Sequence, residues 1–137
     1  MGLYNIFNVA GSSMSAQSVR LNTVASNLAN ADVVSGSEKN IYRSRQPVFA
    51  AVLEAIGAEQ SSVPVRVAGV VESQAPARQE YAPDHPMAND QGYIYRSNVN
   101  TIEEMTNMMA ASRSYQDNVE VFNTSKQLLL KTLNLGR

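Results

Sequence analysis

The chain has no cysteine, no tryptophan and a single histidine in 137 residues. Without cysteine there can be no disulfide framework, no thiolate metal site and no cysteine nucleophile. His85 alone, between Asp84 and Pro86 in a proline-rich stretch, lacks the partners that a metal or general-base centre needs, and reads as an exposed loop residue. An excess of either charge is also missing. Eleven basic residues against 12 acidic ones give a net charge of -1, which draws in neither nucleic acid nor an anionic membrane. No run of about 18 apolar residues exists to span a bilayer. Met1 to Gly11 has neither a basic start nor a continuous apolar stretch, so a cleaved secretory signal is not expected.

What is present is a 44% hydrophobic chain of single-domain size, divided by where its prolines fall. All five lie between residues 47 and 86. Two proline-free arms therefore flank a middle rich in chain breakers. The expected fold class is α+β, mainly α. Residues 1–32 form an N-terminal helix and residues 98–137 a C-terminal one, paired as a coiled coil in one discontinuous domain. Residues 33–97 form a small, irregular β-containing segment between them.

The arms carry the clearest pattern. Leu3, Phe7, Ala10, Met14, Gln17, Leu21, Val24, Leu28 and Ala31 are spaced alternately by four and three, the a/d seam of a left-handed coiled coil. Met105, Met108, Ser112, Tyr115, Val119, Phe122, Lys126, Leu129 and Leu133 repeat it near the C-terminus. Asn100, with Glu103 three residues on, marks the second helix start as a capping box, and Gly136 its end. Gly36 is expected to help end the first helix. Each arm would be a rod of roughly 45–50 Å at the α-helical rise.

In the middle, Val63, Val65 and Val67 alternate and continue past Gly69 into Val70 and Val71, predicting a strand kinked at the glycine. Tyr42–Val52 is a second strand, placed at an edge by Pro47, and Gly92–Tyr95 a third. Residues 33–41 and 73–90 are expected to be loops.

Between Met1 and Ala31 the only charged side chain is Arg20, while 12 of those 31 residues are Ser, Thr, Asn or Gln. A helix facing water normally shows Glu and Lys, which are better helix formers and pair at i,i+4. An uncharged polar face is instead suited to being covered by other protein, since hydrogen-bonded polar groups can be buried where lone charges cannot. The apolar seams alone do not offset the entropy of ordering two such long arms. The arms are thus expected to be poorly ordered in an isolated copy and to become stable helices when several copies share a bundle.

No other constellation carries chemistry. Glu103 and Glu104 are adjacent on a helix and diverge by about 100°, poor geometry for a catalytic pair and good geometry for a helix N-terminus. Tyr42, Arg43 and Arg45 are too few for single-stranded nucleic acid. Met105, Met108 and Met109 form an adaptable patch expected beside Met14 of the other arm.

The stretch Ala25-Ser26-Asn27-Leu28-Ala29-Asn30-Ala31-Asp32, with Ala16, Gln17 and Leu21 upstream, resembles the N-terminal signature of flagellar axial proteins (rod, hook and hook-associated subunits). The turn that usually follows at once, Thr-x-Gly-Tyr-Lys/Arg, is replaced by Val33–Ile41 before Tyr42-Arg43. That departure looks like the flagellar basal-body rod protein family, and within it the proximal rod subunits. Pro86-Met87-Ala88-Asn89, Gly92-Tyr93-Ile94-Tyr95, Asn98-Val99-Asn100, Glu103-Glu104-Met105, Ser112-Arg113-Ser114-Tyr115 and Leu133-Asn134-Leu135-Gly136 follow in the family's order. The resemblance covers residues 16–49 and 85–137, and residues 50–84 match loosely.

The resemblance implies a structural protein without catalytic residues, cofactor or metal. It would polymerise helically into the periplasm-spanning rod that transmits motor torque, its terminal helices lining the export channel. The implied partners are other copies of the chain, other rod subunits, the flagellar type III export apparatus and the membrane-embedded ring at the rod base, with no nucleic acid or small-molecule substrate. Export would occur unfolded, without a cleaved signal. The expected subunit-interface residues are Leu3, Phe7, Met14, Leu21, Val24, Asn27, Leu28, Asn30, Met105, Met108, Tyr115, Val119, Phe122, Leu129 and Leu133. Alternatives within view are another rod or hook subunit, a peptidoglycan-cleaving enzyme and a soluble coiled-coil adaptor of closed symmetry.

Overall fold

A computed structural model describes residues 3–52 and 63–135. Helix α1 (Leu3–Ala29) leads into a short strand β1 (Val34–Ser35) and a single 3-10 turn (Glu38–Asn40). Strands β2 (Arg45–Ala51) and β3 (Val65–Glu72) form an antiparallel hairpin, and β4 (Arg78–Tyr81) and β5 (Tyr93–Arg96) precede helix α2 (Thr101–Leu135). The helices run antiparallel: Phe7 meets Phe122 edge to face at 4.9 Å, Arg20 reaches Asn107, and Asn27 reaches Glu104.

The seam read on α1 is the inward face. Ala10, Val24 and Ala31 are buried, and Phe7, Met14, Gln17, Leu21 and Leu28 are half-buried. Leu3 opens the helix, its side chain outside the described residues. The helix closes without Gly36. Asn30 donates its side-chain amide to the Ser26 carbonyl at 2.8 Å, while its backbone amide bonds Ser26 and Asn27. Gly36 instead lies where two loops touch, since a Cβ there would stand 2.8 Å from the Met87 carbonyl oxygen.

On α2 the expected stripe is met in part: Met108, Ser112, Val119 and Phe122 are half-buried, but the fully buried line lies one position away. The buried residues are Glu104, Ala111 and Ser125, each directly preceding Met105, Ser112 and Lys126 of the expected stripe. Small and polar side chains fill the inward positions, and Met105, Tyr115, Lys126, Leu129 and Leu133 are rotated to solvent. Because Phe7 sits level with Phe122, α2 also outlasts its partner, and Leu128, Leu129, Leu130, Leu133 and Leu135 extend past the start of α1. The same pairing sets Met14 near Tyr115, away from the Met105–Met109 patch expected beside it. Asn100 does cap α2: its Oδ1 accepts from the amides of Ile102 and Glu103. Gly136 lies outside the described residues.

The hairpin lies along α1, where the Val65 amide donates to the Ser12 hydroxyl. Pro47 stands in an edge strand, opposite Val70, and the register slips next to Gly69, as the kink predicted. The second sheet, in order β1-β5-β4, includes two strands that the sequence reading assigned to loops. β1 and β4 are short and polar, and exist by pairing with β5, whose Ile94 is buried beneath them. This sheet gathers the end of α1 and the start of α2 at one end of the molecule. At its turn, Gly92 adopts φ +80° with Tyr81 and Pro83 packed against it.

Two alanine substitutions should act in opposite directions. Gly36→Ala forces apart two loops and should cost about 1–3 kcal/mol. Gly11→Ala fills open space within α1 and should add about 0.5–1 kcal/mol. Urea unfolding of the full chain reads both; equal midpoints would contradict the loop packing described.

Candidate assembly interface

The expected interface residues divide into two groups once placed. Phe7, Met14, Leu21, Val24 and Leu28 on α1, with Met108, Val119 and Phe122 on α2, face inward or line the edge of the helix pair. Met105, Tyr115, Leu129 and Leu133 are exposed, Leu133 by 62%. Asn30 is occupied at the end of α1.

Asn27 is corrected outright. It was expected at a subunit contact, yet it is 0% exposed and fully used inside the chain. Its Nδ2 donates to the Arg45 carbonyl at 2.8 Å, to Glu104 Oε1 at 3.0 Å and to Ser44 Oγ at 3.4 Å. Its Oδ1 accepts from the Tyr42 hydroxyl at 2.8 Å and the Arg45 amide at 2.9 Å. Asparagine alone offers donors and an acceptor in one planar group of this size, so it can bond both faces of the Arg45 peptide pair while reaching α2. A joint therefore forms where α1, the 41–45 segment and α2 converge. Asn98 extends it, accepting from the Ser44 amide and donating to the Ala75 carbonyl.

Electrostatics at the joint follow from burial. Glu104 is 4% exposed, and its carboxyl is raised above the ordinary 4.5, first by desolvation and against the hydrogen bond from Asn27. Burial likewise pushes the Tyr42 phenol upward. Glu103 is solvent-exposed, so the adjacent carboxylates diverge. A cleft of about 320 Å³ opens beside them, bordered by Arg20, Arg45, Pro47, Phe49 and Asn107. Tyr42, Arg43 and Arg45, considered above for nucleic acid, are taken up internally: the phenol by Asn27, and the arginines by Glu38 and Glu72. His85 accepts from the Met87 amide within its own turn. Among the described residues no three His, Cys, Asp or Glu side chains converge as a metal site.

The outward surfaces point elsewhere. The exposed stripe of α1 is Tyr4, Asn8, Ser15, Ser18, Asn22, Ala25, Ser26 and Ala29, without a charge along its length. On α2, Ile102, Met105 and Met109 form an apolar stripe turned from α1, and Ile102 is 76% exposed. The leucine-rich overhang adds a third apolar surface. Tyr4, Ile102, Met109, Leu128, Leu130 and Leu135 were missed because the seam reading looked for one face per helix. The signal for them was the excess of apolar residues over what one seam can use.

Residues 7–36 match the family described as flagella basal body rod protein, and residues 90–135 the one described as flagellar basal body rod FlgEFG protein C-terminal. The chain is 53% identical to the flagellar basal-body rod protein FlgC of Escherichia coli O6:H1 over 137 residues, covering 100% of both chains. The corresponding protein of Salmonella typhimurium is also 53% identical with 100% coverage of both. That of Yersinia enterocolitica is 49% identical, again over the full length of each.

Removing the Asn27 amide tests the joint. Asn27→Ala leaves the Arg45 peptide without its side-chain partner and Glu104 with only the long bond from Ser44, and should cost about 3 kcal/mol. Asn27→Asp, of the same shape, sets a second carboxyl against Glu104, and should cost more at neutral pH, recovering in part as acid protonates the pair. Denaturant unfolding across pH decides this, and an Asn27→Asp protein as stable as the parent would contradict the arrangement.

Proposed function

Because the chain belongs to the flagellar basal-body rod protein family, we propose that it is a structural subunit of the proximal rod, assembling with other rod components through its two terminal helices. The observation that carries this reading is the combination of an uncharged exposed stripe on α1 with exposed apolar surfaces on α2. The apolar surfaces are costly to leave in water, and the uncharged stripe is less costly to cover than a charged one.

The helix pair supplies such surfaces on different sides of one molecule. Contacts between unlike patches are heterologous, and repeated without closure they generate a helix rather than a ring. This suits an open-ended shaft that carries torque, with the helices as its inner layer around an export channel. The middle segment, held at one end by β5 and the hairpin, would pack outside them. Phe7, Met14, Leu21, Val24, Leu28, Met108, Val119 and Phe122 hold the pair together in this reading. Tyr4, Ile102, Met105, Met109, Leu129 and Leu133 meet neighbouring subunits.

Export through the flagellar type III apparatus, without a cleaved signal, is part of the proposal, as is contact with a membrane-embedded ring at the rod base. No helix among the described residues is long and apolar enough to cross a membrane. The thin distal half of the helix pair supports passage as an extended chain, since only modest burial has to be undone there. A catalytic role in opening the cell wall has less support. Glu103 and Glu104 border one cleft, but Glu104 is held by Asn27 and Ser44 while Glu103 points to water.

Leu133→Asp separates assembly from folding. The side chain lies on the overhang, so the urea midpoint of the isolated chain should move by no more than about 0.5 kcal/mol equivalent. Incorporation into basal bodies, and swimming in a strain lacking the native gene, should be lost. Normal motility with this variant would overturn the interface.

A further inference from the structure

Glu104 is a carboxyl 4% exposed at the point where α1, β2 and α2 meet, and among the described residues it has no ion pair. Its Oε1 accepts from Asn27 Nδ2 at 3.0 Å and from Ser44 Oγ at 3.5 Å, both neutral donors. From α1, Arg20 donates its guanidinium to Asn107 Oδ1 at 3.0 Å; its positive charge favours the ionised carboxyl, but it is the weakest of the influences on Glu104 and is outweighed by burial. From the 41–45 segment and β2, the Tyr42 phenol is bound to Asn27, and Arg45 is paired with Glu72 of β3 at 3.0 Å. On α2 itself the neighbouring charge is Glu103, of like sign. A buried carboxylate with neutral partners and a like charge nearby is unfavourable in its ionised form.

Protonation removes that cost without dismantling the joint. A neutral carboxyl keeps a lone pair on Oε1 for Asn27, and its hydroxyl form can also donate. We infer that the joint is a proton-sensitive latch, closing the hairpin and the two helix ends most firmly when Glu104 carries a proton, and loosening as it ionises. The sign follows from linkage. The folded chain holds the Glu104 proton to higher pH than the unfolded chain does. Its contribution to stability is therefore full below the ordinary glutamate value and is lost as pH rises through the raised one. For a chain proposed to leave the cell unfolded, neutral pH then favours the open joint and an acidic exterior the closed one. That consequence rests on the export reading, whereas the latch does not.

The test uses the purified full chain. Urea unfolding is followed between about pH 5 and about pH 7.5 for the parent, Glu104→Gln and Glu103→Gln. Glutamine keeps an acceptor for Asn27 and cannot ionise. The parent and Glu103→Gln should both lose stability across this range relative to Glu104→Gln, whose profile loses that slope and which is the most stable of the three near neutrality. A Glu104→Gln profile parallel to the parent's would overturn the latch. Should that variant fail to fold, a carboxyl carbon NMR titration of the parent decides the matter. Glu104 titrating above the ordinary 4.5 supports the latch, and titration at or below it refutes it.

Discussion

The side-chain amide of Asn27 ties both terminal helices to the segment that enters β2. It stands near the end of α1, brackets the Arg45 peptide from both sides, and touches α2 at Glu104. A peptide segment that enters β2 and a helix residue 77 positions after Asn27 are thereby fixed to one planar group. Asn27 and Glu104 belong to the two segments that match rod-protein families, 7–36 and 90–135, while Arg45 lies between them. The signature around Asn27 is therefore explained by internal structure: it sets how the terminal helices leave the middle segment.

From that joint the helix pair extends like a rod clamped at one end. Near the clamp, the hairpin and the three-stranded sheet shield α1 and the start of α2, and Ile94, Val99 and Ala111 are buried together with Asn27. Toward the other end the pair is held by Phe7 against Phe122 and by small buried residues such as Ala10 and Ser125, with the hairpin reaching α1 as far as Ser12. The leucines from Leu128 onward lie past the level of Leu3, the first described residue of α1, and are exposed. A molecule built this way keeps its unmet burial at the distal end, where further subunits can supply it. Helix stability in proteins comes mainly from packing an amphipathic face, so this end gains most from neighbours.

The seam of α1 was legible in the sequence because its period is regular and its inward residues are apolar. On α2 the apolar period pointed one residue away from the buried line. Close approach of the helices favours Ala111 and Ser125, and the joint requires Glu104. Side chains that carry out those tasks look like surface residues in a hydrophobic pattern. The strand around Val65–Val71 announced itself by alternation. β1 and β4 did not, since Val34-Ser35 and Arg78–Tyr81 become strands through partners supplied by β5. Gly36 was assigned to a helix end when its constraint is the carbonyl of Met87, distant in sequence. Asn27 was noticed and misplaced for a related reason. Its partners at positions 42–45 and 104 are contacts that no local spacing encodes.

In the proposed assembly the helix pair is anchored at one end and completed by other subunits at the other. Amide hydrogen exchange on the isolated full chain, compared with the same chain in assembled rods, measures this directly. In isolation, protection should be strongest around residues 20–30 and 101–111, declining along both helices toward Leu3 and Leu135. Assembly should then raise protection chiefly in those distal halves. Uniformly strong protection along both helices of the isolated chain, unchanged on assembly, would contradict the account.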